Sequence, residues 1–241
     1  MGYELPLPFG VSVVYNYLAR DIEVTDVRVG VNGESLSSVS QFANFNARSS
    51  VNAALLKADT WVFPFLNMYL LLGYIHNTSD TNIQVTVPRP GPLPGTRQFN
   101  ITAKSELEGF VGGGGVTVAG GYRQLFVMAD VNYTQTEMGF DDRFRALIAS
   151  ARAGWNGQAG AIPLRLWVGG AYWDTKNTAR STVDVPDVGT VRFEADQGPK
   201  NPWNMVVGLS SSLHRHLDLF AEYGFSPGDL VFFAGGLTVR F

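Results

Sequence analysis

The chain has no cysteine among its 241 residues. This absence excludes a disulfide framework and a thiolate metal site. It is also typical of a chain that crosses an oxidising compartment such as the bacterial periplasm, where stray thiols are oxidised. No group of other residues has the spacing of a metal centre, so we expect neither a metal nor a cofactor.

Charge is scarce, and neither sign dominates. Charged residues make up 16% of the chain and the formal net charge is −3, with an isoelectric point near 5.6. A surface that binds nucleic acid needs a clustered basic excess. We therefore expect no nucleic-acid partner, because the sequence describes only a mildly acidic surface.

The sequence also lacks an apolar run long enough for a transmembrane helix. Its longest uncharged apolar stretch, Trp61 to Ile75, is interrupted by Pro64 and Asn67, whereas a spanning helix needs about 20 such residues. Helical membrane proteins are therefore excluded. The first six residues lack the basic and apolar regions of a signal peptide, and we expect a mature chain whose leader is absent.

What the sequence does contain is apolar residues at every second position, the period of a β-strand. In the segment 217–223, Leu217 and Tyr223 fall on one face while Asp218 and Glu222 fall on the other. The pattern predicts an all-β fold in one domain, 1–241, with about ten antiparallel strands. The predicted strands are 9–20, 51–63, 67–80, 109–123, 125–137, 143–155, 163–174, 203–214, 217–225 and 229–241.

The links between these strands alternate in length along the chain. Short links follow four of the predicted strands, whereas long ones rich in Pro, Gly, Asp and Asn lie near 21–50, 81–108 and 175–202. Outer-membrane barrels show this alternation, with short periplasmic turns and long extracellular loops. Residues 21–50 leave two alternatives open, because Ile22 to Val29 either extend the first strand or form another one. A separate pair with part of 36–48 raises the count to twelve, and 182–194 has the pattern of an extracellular hairpin.

The two faces of the predicted strands differ in polarity. One face is apolar and carries no charge, and aromatic residues lie near the strand ends, as expected for a lipid-facing surface with interfacial girdles. The predicted lipid face includes Val11, Val13, Tyr15, Ala58, Thr60, Val62, Val116, Val118, Leu147, Ala149, Ala151, Leu166, Val168, Tyr172, Trp203, Met205, Val207 and Leu209. The predicted girdle includes Tyr15, Tyr17, Tyr69, Tyr133, Trp155, Tyr172, Trp203, Tyr223 and Phe241.

The opposite face collects charged residues that point into one lumen. Ions in such a confined space must pair or remain hydrated. A salt-bridge network that fills a narrow barrel and a water-filled path for a solute are both consistent with this pattern. The predicted lumenal residues, which set selectivity in the second case, are Lys57, Asp59, Arg123, Asp130, Arg152, Arg165, Asp218, Glu222 and Arg240.

The C-terminal segment 236–241 begins with Gly236, alternates through Val239 and ends on Phe241. It resembles the terminal strand signal of porin-like bacterial outer-membrane β-barrel proteins. The resemblance covers only this strand. It implies a transmembrane up-and-down β-barrel in the outer membrane, in contact with lipid and lipopolysaccharide, and recognition of Gly236, Val239 and Phe241 by the barrel-assembly machinery.

A passive channel or transporter for a small solute is the function that these features favour. The alternative is a closed structural or interaction barrel that binds a partner or surface ligand through its loops. An outer-rim enzyme is less favoured, because His76, near Ser79 at a polar strand end, is its only sensible base. The sequence identifies no solute and no oligomeric state.

Overall fold

The computed structural model describes residues 7–31, 37–38, 43–88, 96–138, 142–160, 162–175, 177–185 and 189–241. Within this part of the chain there are thirteen strands, and no helix is long and apolar enough to cross a membrane. In chain order the strands are β1 Phe9–Val31, β2 Ser37–Ser38, β3 Ala43–Phe63, β4 Leu66–Pro88, β5 Thr96–Tyr122, β6 Leu125–Met138, β7 Asp142–Ala159, β8 Ile162–Asp174, β9 Asn177–Val185, β10 Gly189–Pro199, β11 Trp203–His214, β12 Leu217–Ser226 and β13 Leu230–Arg240.

Ten of these strands close into an antiparallel barrel. The order around it is β1, β3, β4, β5, β6, β7, β8, β11, β12 and β13, and β13 pairs with β1 from Arg240↔Gly10 to Leu230↔Arg20. Barrel strands that follow one another along the chain are hydrogen-bonded to each other. Strands β8 and β11 pair directly, although the β9–β10 hairpin lies between them in the sequence. The predicted ten-stranded up-and-down barrel is thus confirmed.

The strand pairing also fixes the tilt of the strands. The directly paired residues can be followed from strand to strand around the barrel, starting at Tyr15. In one direction they lead to Leu125 on β6, and in the other they lead to Glu137 on the same strand. This stagger of twelve residues over ten strands requires a tilt of about 40°, within the usual range for barrels. A barrel of this size is narrow, so side chains decide how much of its interior is open.

The predicted long loops are largely strand. Strand β1 continues to Val31, which confirms the extension of the first strand over 22–29. Strands β4 and β5 remain paired as far as Pro88↔Thr96, so most of 81–108 was wrongly assigned to irregular structure. Backbone hydrogen bonds between strands do not require an apolar face, so the pairing continues through these polar residues, with one register shift between Val24 and Asp26. Segment 175–202 contains the β9–β10 hairpin, which confirms the hairpin over 182–194, and β10 pairs with β1.

One end of the barrel carries the two-residue turns. Two-residue turns join β3 to β4 at 64–65 and β5 to β6 at 123–124, and 215–216 joins β11 to β12. The backbones of Phe9 and Phe241 exchange two hydrogen bonds there, and their rings stack with centroids 6.1 Å apart. We call this the short-turn end and the opposite one the hairpin end, which by the general rule for such barrels face the periplasm and the exterior.

The outer face of the barrel is apolar, as predicted. Large hydrophobic side chains are exposed on the outer face of every barrel strand, among them Leu70 and Leu72 on β4 and Val168 on β8. Each residue of the predicted lipid face occupies an outward position, and so does each predicted girdle aromatic except Tyr69, which is 8% exposed and faces the lumen. Exposure on this scale is unfavourable in water and favourable in lipid.

Inside the barrel, aromatic rings lie across glycines of the adjacent strand. In five directly paired positions a Cβ on the glycine would overlap with the partner's ring, so each ring lies flat along the wall and does not project towards the axis. The ring thereby covers backbone that glycine leaves bare. The pairs are Tyr69↔Gly115, Phe126↔Gly154, Trp167↔Gly208, Phe220↔Gly236 and Phe232↔Gly224.

Candidate functional site in the barrel lumen

Eight of the nine predicted lumenal charges occupy inward positions. Arg123 is the exception, and its assignment is corrected: it lies in the β5–β6 turn with a φ of 56°, exposed, with its guanidinium 5.4 Å from the ring of Tyr122. The two-residue turn interrupts the alternation of faces, so counting by twos through it assigns the wrong side. Whether the other eight set selectivity remains a prediction.

These eight charges are concentrated near one end of the lumen. Each lies within seven residues of the short-turn end of its strand. Among described inward residues nearer the hairpin end, Arg20 is charged and pairs with Asp229, which follows β12, at 3.6 Å. We call the cluster at the short-turn end the ionic belt, which comprises Lys57, Asp59, Asp130, Arg152, Arg165, Asp218, Glu222 and Arg240.

The closest ion pair of the belt crosses the barrel interior. Arg152 on β7 donates from Nε and Nη2 to the two carboxylate oxygens of Glu222 on β12, at 2.7 and 2.8 Å, with β8 and β11 between them in the sheet. Trp167 on β8 donates to the same carboxylate at 2.6 Å, and Ser150 accepts from Arg152 at 2.6 Å. Bidentate, hydrogen-bonded geometry offsets the cost of burying both charges.

A second group joins the closing strands at the short-turn end. Arg240 on β13 donates to Asp59 on β3 at 3.1 Å and to Asp218 on β12 at 3.2 Å. The Asp59 carboxylate, 2% exposed, also accepts from Asn67 at 2.8 Å, and Asp218 accepts from Ser212. Arg240 therefore bridges both neighbours of the β13–β1 seam, which closes the barrel.

The third group surrounds Asp130 on β6. Its carboxylate accepts hydrogen bonds from Tyr69 at 2.9 Å, from Thr117 at 2.7 Å and from Asn132 at 3.2 Å. The ammonium of Lys57 lies over the ring of Tyr69, 4.1 Å from its centroid. Within the described part of the chain, neutral donors satisfy Asp130, and no cation lies within ion-pair distance.

Sequence reasoning missed Tyr69 and Trp167 as lumenal residues. Tyr69 was assigned to the girdle because it lies near a strand end, yet it shares its face with Asn67, which caps Asp59. Residues two positions apart on a strand face the same side, and this relation to Asn67 is the signal that places Tyr69 inside. For Trp167 the corresponding signal is Arg165, two residues earlier on the same face of β8. Aromatic type alone does not distinguish a girdle from a lumen.

The inner surface has two walls that differ in exposure. Side chains on β5, β6 and β7 are partly exposed to a water-sized space inside the barrel, whereas most on β11, β12 and β13 are buried. We call the first the accessible wall, comprising Thr117, Met128, Asp130, Asn132, Thr134, Ile148 and Arg152. The second is the packed wall, comprising Asn204, Val206, Ser210, Glu222, Ser226, Leu230, Phe232 and Thr238.

The remaining predicted residues lie away from this site. His76 faces outward, where its Nδ1 lies 3.1 Å from Glu108 and its Nε2 3.4 Å from Glu106. Ser79 faces the other side of β4, so the suggested His–Ser pair is not formed. The described residues contain no cluster of three metal-ligating side chains. In the terminal strand Val239 and Phe241 face outward and Gly236 lies beneath Phe220; their role in assembly remains a prediction.

A closed barrel with an apolar outer face and an ionic interior is a transmembrane β-barrel of the bacterial outer-membrane type. No family model matches the chain, and no curated protein matches it.

Solved structures similar to the chain are outer-membrane barrels. One is the outer membrane protein OprG from Pseudomonas aeruginosa, 9% identical with a TM-score of 0.46, covering 98% of both chains. Another is the transport unit of the autotransporter AIDA-I from Escherichia coli, 10% identical with a TM-score of 0.45, covering 97% of this chain and 90% of that one. A third is an outer membrane channel from Pseudomonas putida F1, 11% identical with a TM-score of 0.40, covering 99% and 97%.

Proposed function

We propose that the barrel is a passive channel for small solutes in the bacterial outer membrane, and that its conduit runs along the accessible wall. The observation that carries this proposal is the asymmetry of the lumen. Inward side chains of β6 from Phe126 to Thr134 are all partly exposed, although they lie inside a closed barrel. A barrel filled for stability alone would bury both walls to the packing density of a protein interior.

The arrangement of the large side chains supports an open path. The five aromatic rings that lie over glycines are held against the wall and do not project towards the axis. The ion pair between Arg152 and Glu222 runs towards the packed wall, where Trp167 also binds the carboxylate. Belt charges are therefore held by fixed partners and leave a polar, hydrated strip beside Asp130.

The closed structural or interaction barrel remains the second candidate. It is favoured by the lumenal apolar cluster of Ala171, Val206, Leu230 and Phe232, together with the Arg152–Glu222 pair that crosses the interior. In a closed barrel, such packing must block the lumen at some height along the axis. In a channel, the packing is confined to one wall and leaves the other wall open. The two functions therefore differ in whether the accessible wall is continuous from end to end.

Single cysteines in this cysteine-free chain test the proposal directly. Asn132→Cys places a thiol on the accessible wall, and Val206→Cys places one on the packed wall as the matched control. In planar bilayers we expect steady openings from the folded protein. A charged methanethiosulfonate reagent should react with Asn132→Cys and reduce its conductance, and should leave Val206→Cys unmodified.

Absence of openings from folded protein, with both thiols unreactive, would support the closed barrel. Openings with equal reactivity at both positions would place the conduit elsewhere and contradict the assignment of the two walls. Folding of each variant is checked by its electrophoretic shift on heating, because an unfolded barrel exposes both thiols.

A further inference from the structure

The lumen changes character along the barrel axis. Nearer the hairpin end than the ionic belt, β3, β4 and β7 present partly exposed apolar side chains to the interior, including Val51, Leu55, Leu71, Ile75 and Ile148. Opposite them lies the buried apolar cluster of the packed wall, against which Leu18 and Trp173 pack. We call this level of the lumen the apolar band.

The apolar band is bounded by charge at both ends. Towards the short-turn end lies the ionic belt, and towards the hairpin end lies the pair of Arg20 and Asp229, whose side chains are 8% and 3% exposed. Between them, the described inward residues of the barrel strands carry no charge. A solute in this band therefore meets hydrocarbon surface, with polar groups only above and below it.

Leu71 is the part of the apolar band that adjoins the accessible wall. Its direct partner on β5 is Gly113, the inward glycine of the run 112–115, and Gly113 in turn is paired with Thr134. Thr134 packs closely over this glycine, because a Cβ added to Gly113 would lie 2.8 Å from Cγ2 of Thr134. Leu71 and Thr134 are both partly exposed, so a solute in the conduit reaches the side chain of Leu71.

The charges of the belt indicate what kind of molecule fits. Arg152 is matched by Glu222, and Arg240 by Asp59 and Asp218. Lys57 lies next to the band, paired across the ladder with Leu71, and is attracted to Asp59 and Asp130. The four cations and four carboxylates of the belt leave no net charge at this end of the band, whereas exposed apolar surface is stabilised when a solute displaces water from it.

We propose that the apolar band binds uncharged small molecules with an apolar body, on the partly exposed side chains of Leu55, Leu71 and Ile148. The proposal rests on the channel function and specifies its substrate class. Such a molecule enters from the hairpin end, makes contact with Leu55, Leu71 and Ile148, and passes the belt beside Asp130. Ions and highly polar solutes gain nothing from the band.

The test measures whether a bound small molecule protects a cysteine in the band from a thiol reagent, with a matched pair of small molecules as probes. Leu71→Cys lies in the apolar band, and Ser212→Cys lies in the lumen at the level of the belt as control. Both variants are placed in lipid nanodiscs, and the rate of reaction with 2-sulfonatoethyl methanethiosulfonate is measured with 1-hexanol or with 1,2,6-hexanetriol. The two probes have the same carbon chain and differ in two hydroxyl groups.

We expect 1-hexanol to slow the labelling of Leu71→Cys saturably, by about threefold when the probe reaches about twice its dissociation constant, because only unoccupied protein reacts. The triol should have no effect there, and neither probe should affect Ser212→Cys. Ile148→Cys repeats the measurement at another position of the band, on β7, in case Leu71→Cys folds poorly.

The outcomes separate the two proposals. Thiols that react without any probe and are slowed equally by the triol and by hexanol, or by neither, would overturn the apolar site and leave the channel standing. Thiols in the band that never react in a folded barrel would overturn both, because the band would then be closed to water.

Discussion

The two walls of the lumen are made from the same kind of strand but differ in the exposure and the hydrogen-bond partners of their inward side chains. On β6, Asp130 is partly exposed and accepts hydrogen bonds from the neutral donors Tyr69, Thr117 and Asn132. On β12, Glu222 is buried and accepts hydrogen bonds from Arg152 and Trp167. An acidic residue at an inward position is thus held by neutral groups or by a cation, depending on which side chains lie near it in the lumen.

The difference between the walls follows from their partners. Behind Glu222, β8 and β11 supply a ring over a glycine, Trp167 over Gly208, and the buried residues Ala171 and Val206. Strand β5 faces the lumen with small residues such as Gly113 and Thr117, and the inward side chains of β6 beside it remain partly exposed. Close packing on one side gives stability, and in the proposed channel the partly exposed side supplies the conduit.

The largest effect is expected from removing the residue that joins the two walls. Arg152→Ala leaves the carboxylate of Glu222, 8% exposed, without its cation. Breaking a buried pair in this way costs about 3 kcal/mol of unfolding free energy. Urea unfolding in detergent micelles, followed by electrophoretic mobility, measures the loss.

Arg165→Ala is the matched control for this substitution. Arg165 is an exposed lumenal arginine that contacts Ser212 at 3.3 Å, so its removal should hardly change stability. Equal destabilisation by the two variants would contradict the view that the Arg152–Glu222 pair fastens the packed wall.

A smaller loss is expected from crowding the packed wall. In Gly208→Ala the added methyl group overlaps with the ring of Trp167, which must move and weaken its hydrogen bond to Glu222. Overpacking of this kind costs about 1–3 kcal/mol. Gly170→Ala on the outer face is the control, since its Cβ would lie 3.7 Å from the nearest atom, the carbonyl oxygen of Asn204. Comparable unfolding midpoints for the two would show that the ring is free to move.

Sequence periodicity predicted the barrel because lipid and lumen alternate on every strand. Ten strands, the outward apolar set and eight of nine inward charges follow from counting by twos. The hairpin-end extensions were missed because polar residues such as Asn82 and Thr86 alternate too weakly with their neighbours. Their strand structure comes from ladder pairing, as in Asn82↔Thr102, which continues whether or not a face is apolar.

The division of the lumen could not be predicted, because it depends on residues far apart in sequence. Arg152 and Glu222 are 70 positions apart, and Arg240 and Asp59 are 181 apart. Their contacts are set by the stagger of the barrel, which no local pattern contains. Arg123 and Tyr69 were misplaced for a related reason. Arg123 lies in a turn, where the alternation of faces ends, and Tyr69 was assigned by its aromatic type although its position in the strand places it inside.

Selectivity should respond to the accessible wall. Asp130→Asn removes a carboxylate that faces the conduit without an ion-pair partner among the described residues, so the cation-to-anion permeability ratio should fall severalfold. Asn132→Asp adds a carboxylate two residues away on the same face and should raise the ratio. Reversal potentials in asymmetric potassium chloride measure both. A ratio that neither variant changes would place the conduit away from β6.

The smallest effect is expected outside the lumen, where an exposed ion pair provides the contrast to Arg152 and Glu222. Beyond the aromatic pair of Tyr74 and Phe110, Glu108 accepts hydrogen bonds from Tyr74 and from His76, and these lower the pKa of its carboxyl below the ordinary 4.5. A group whose pKa is lowered by folding stabilises the fold above its unfolded value, and this contribution is lost as pH falls. We therefore expect a slight decrease in the unfolding midpoint of the wild type below about pH 4.5 that is weaker in Tyr74→Phe, because the first of the two hydrogen bonds is absent. The difference between the two midpoints as a function of pH isolates this group from the other carboxyls. A difference that stays constant from neutral to acidic pH would show that the exposed cluster contributes nothing, and that the ion pairs that matter are those inside the barrel.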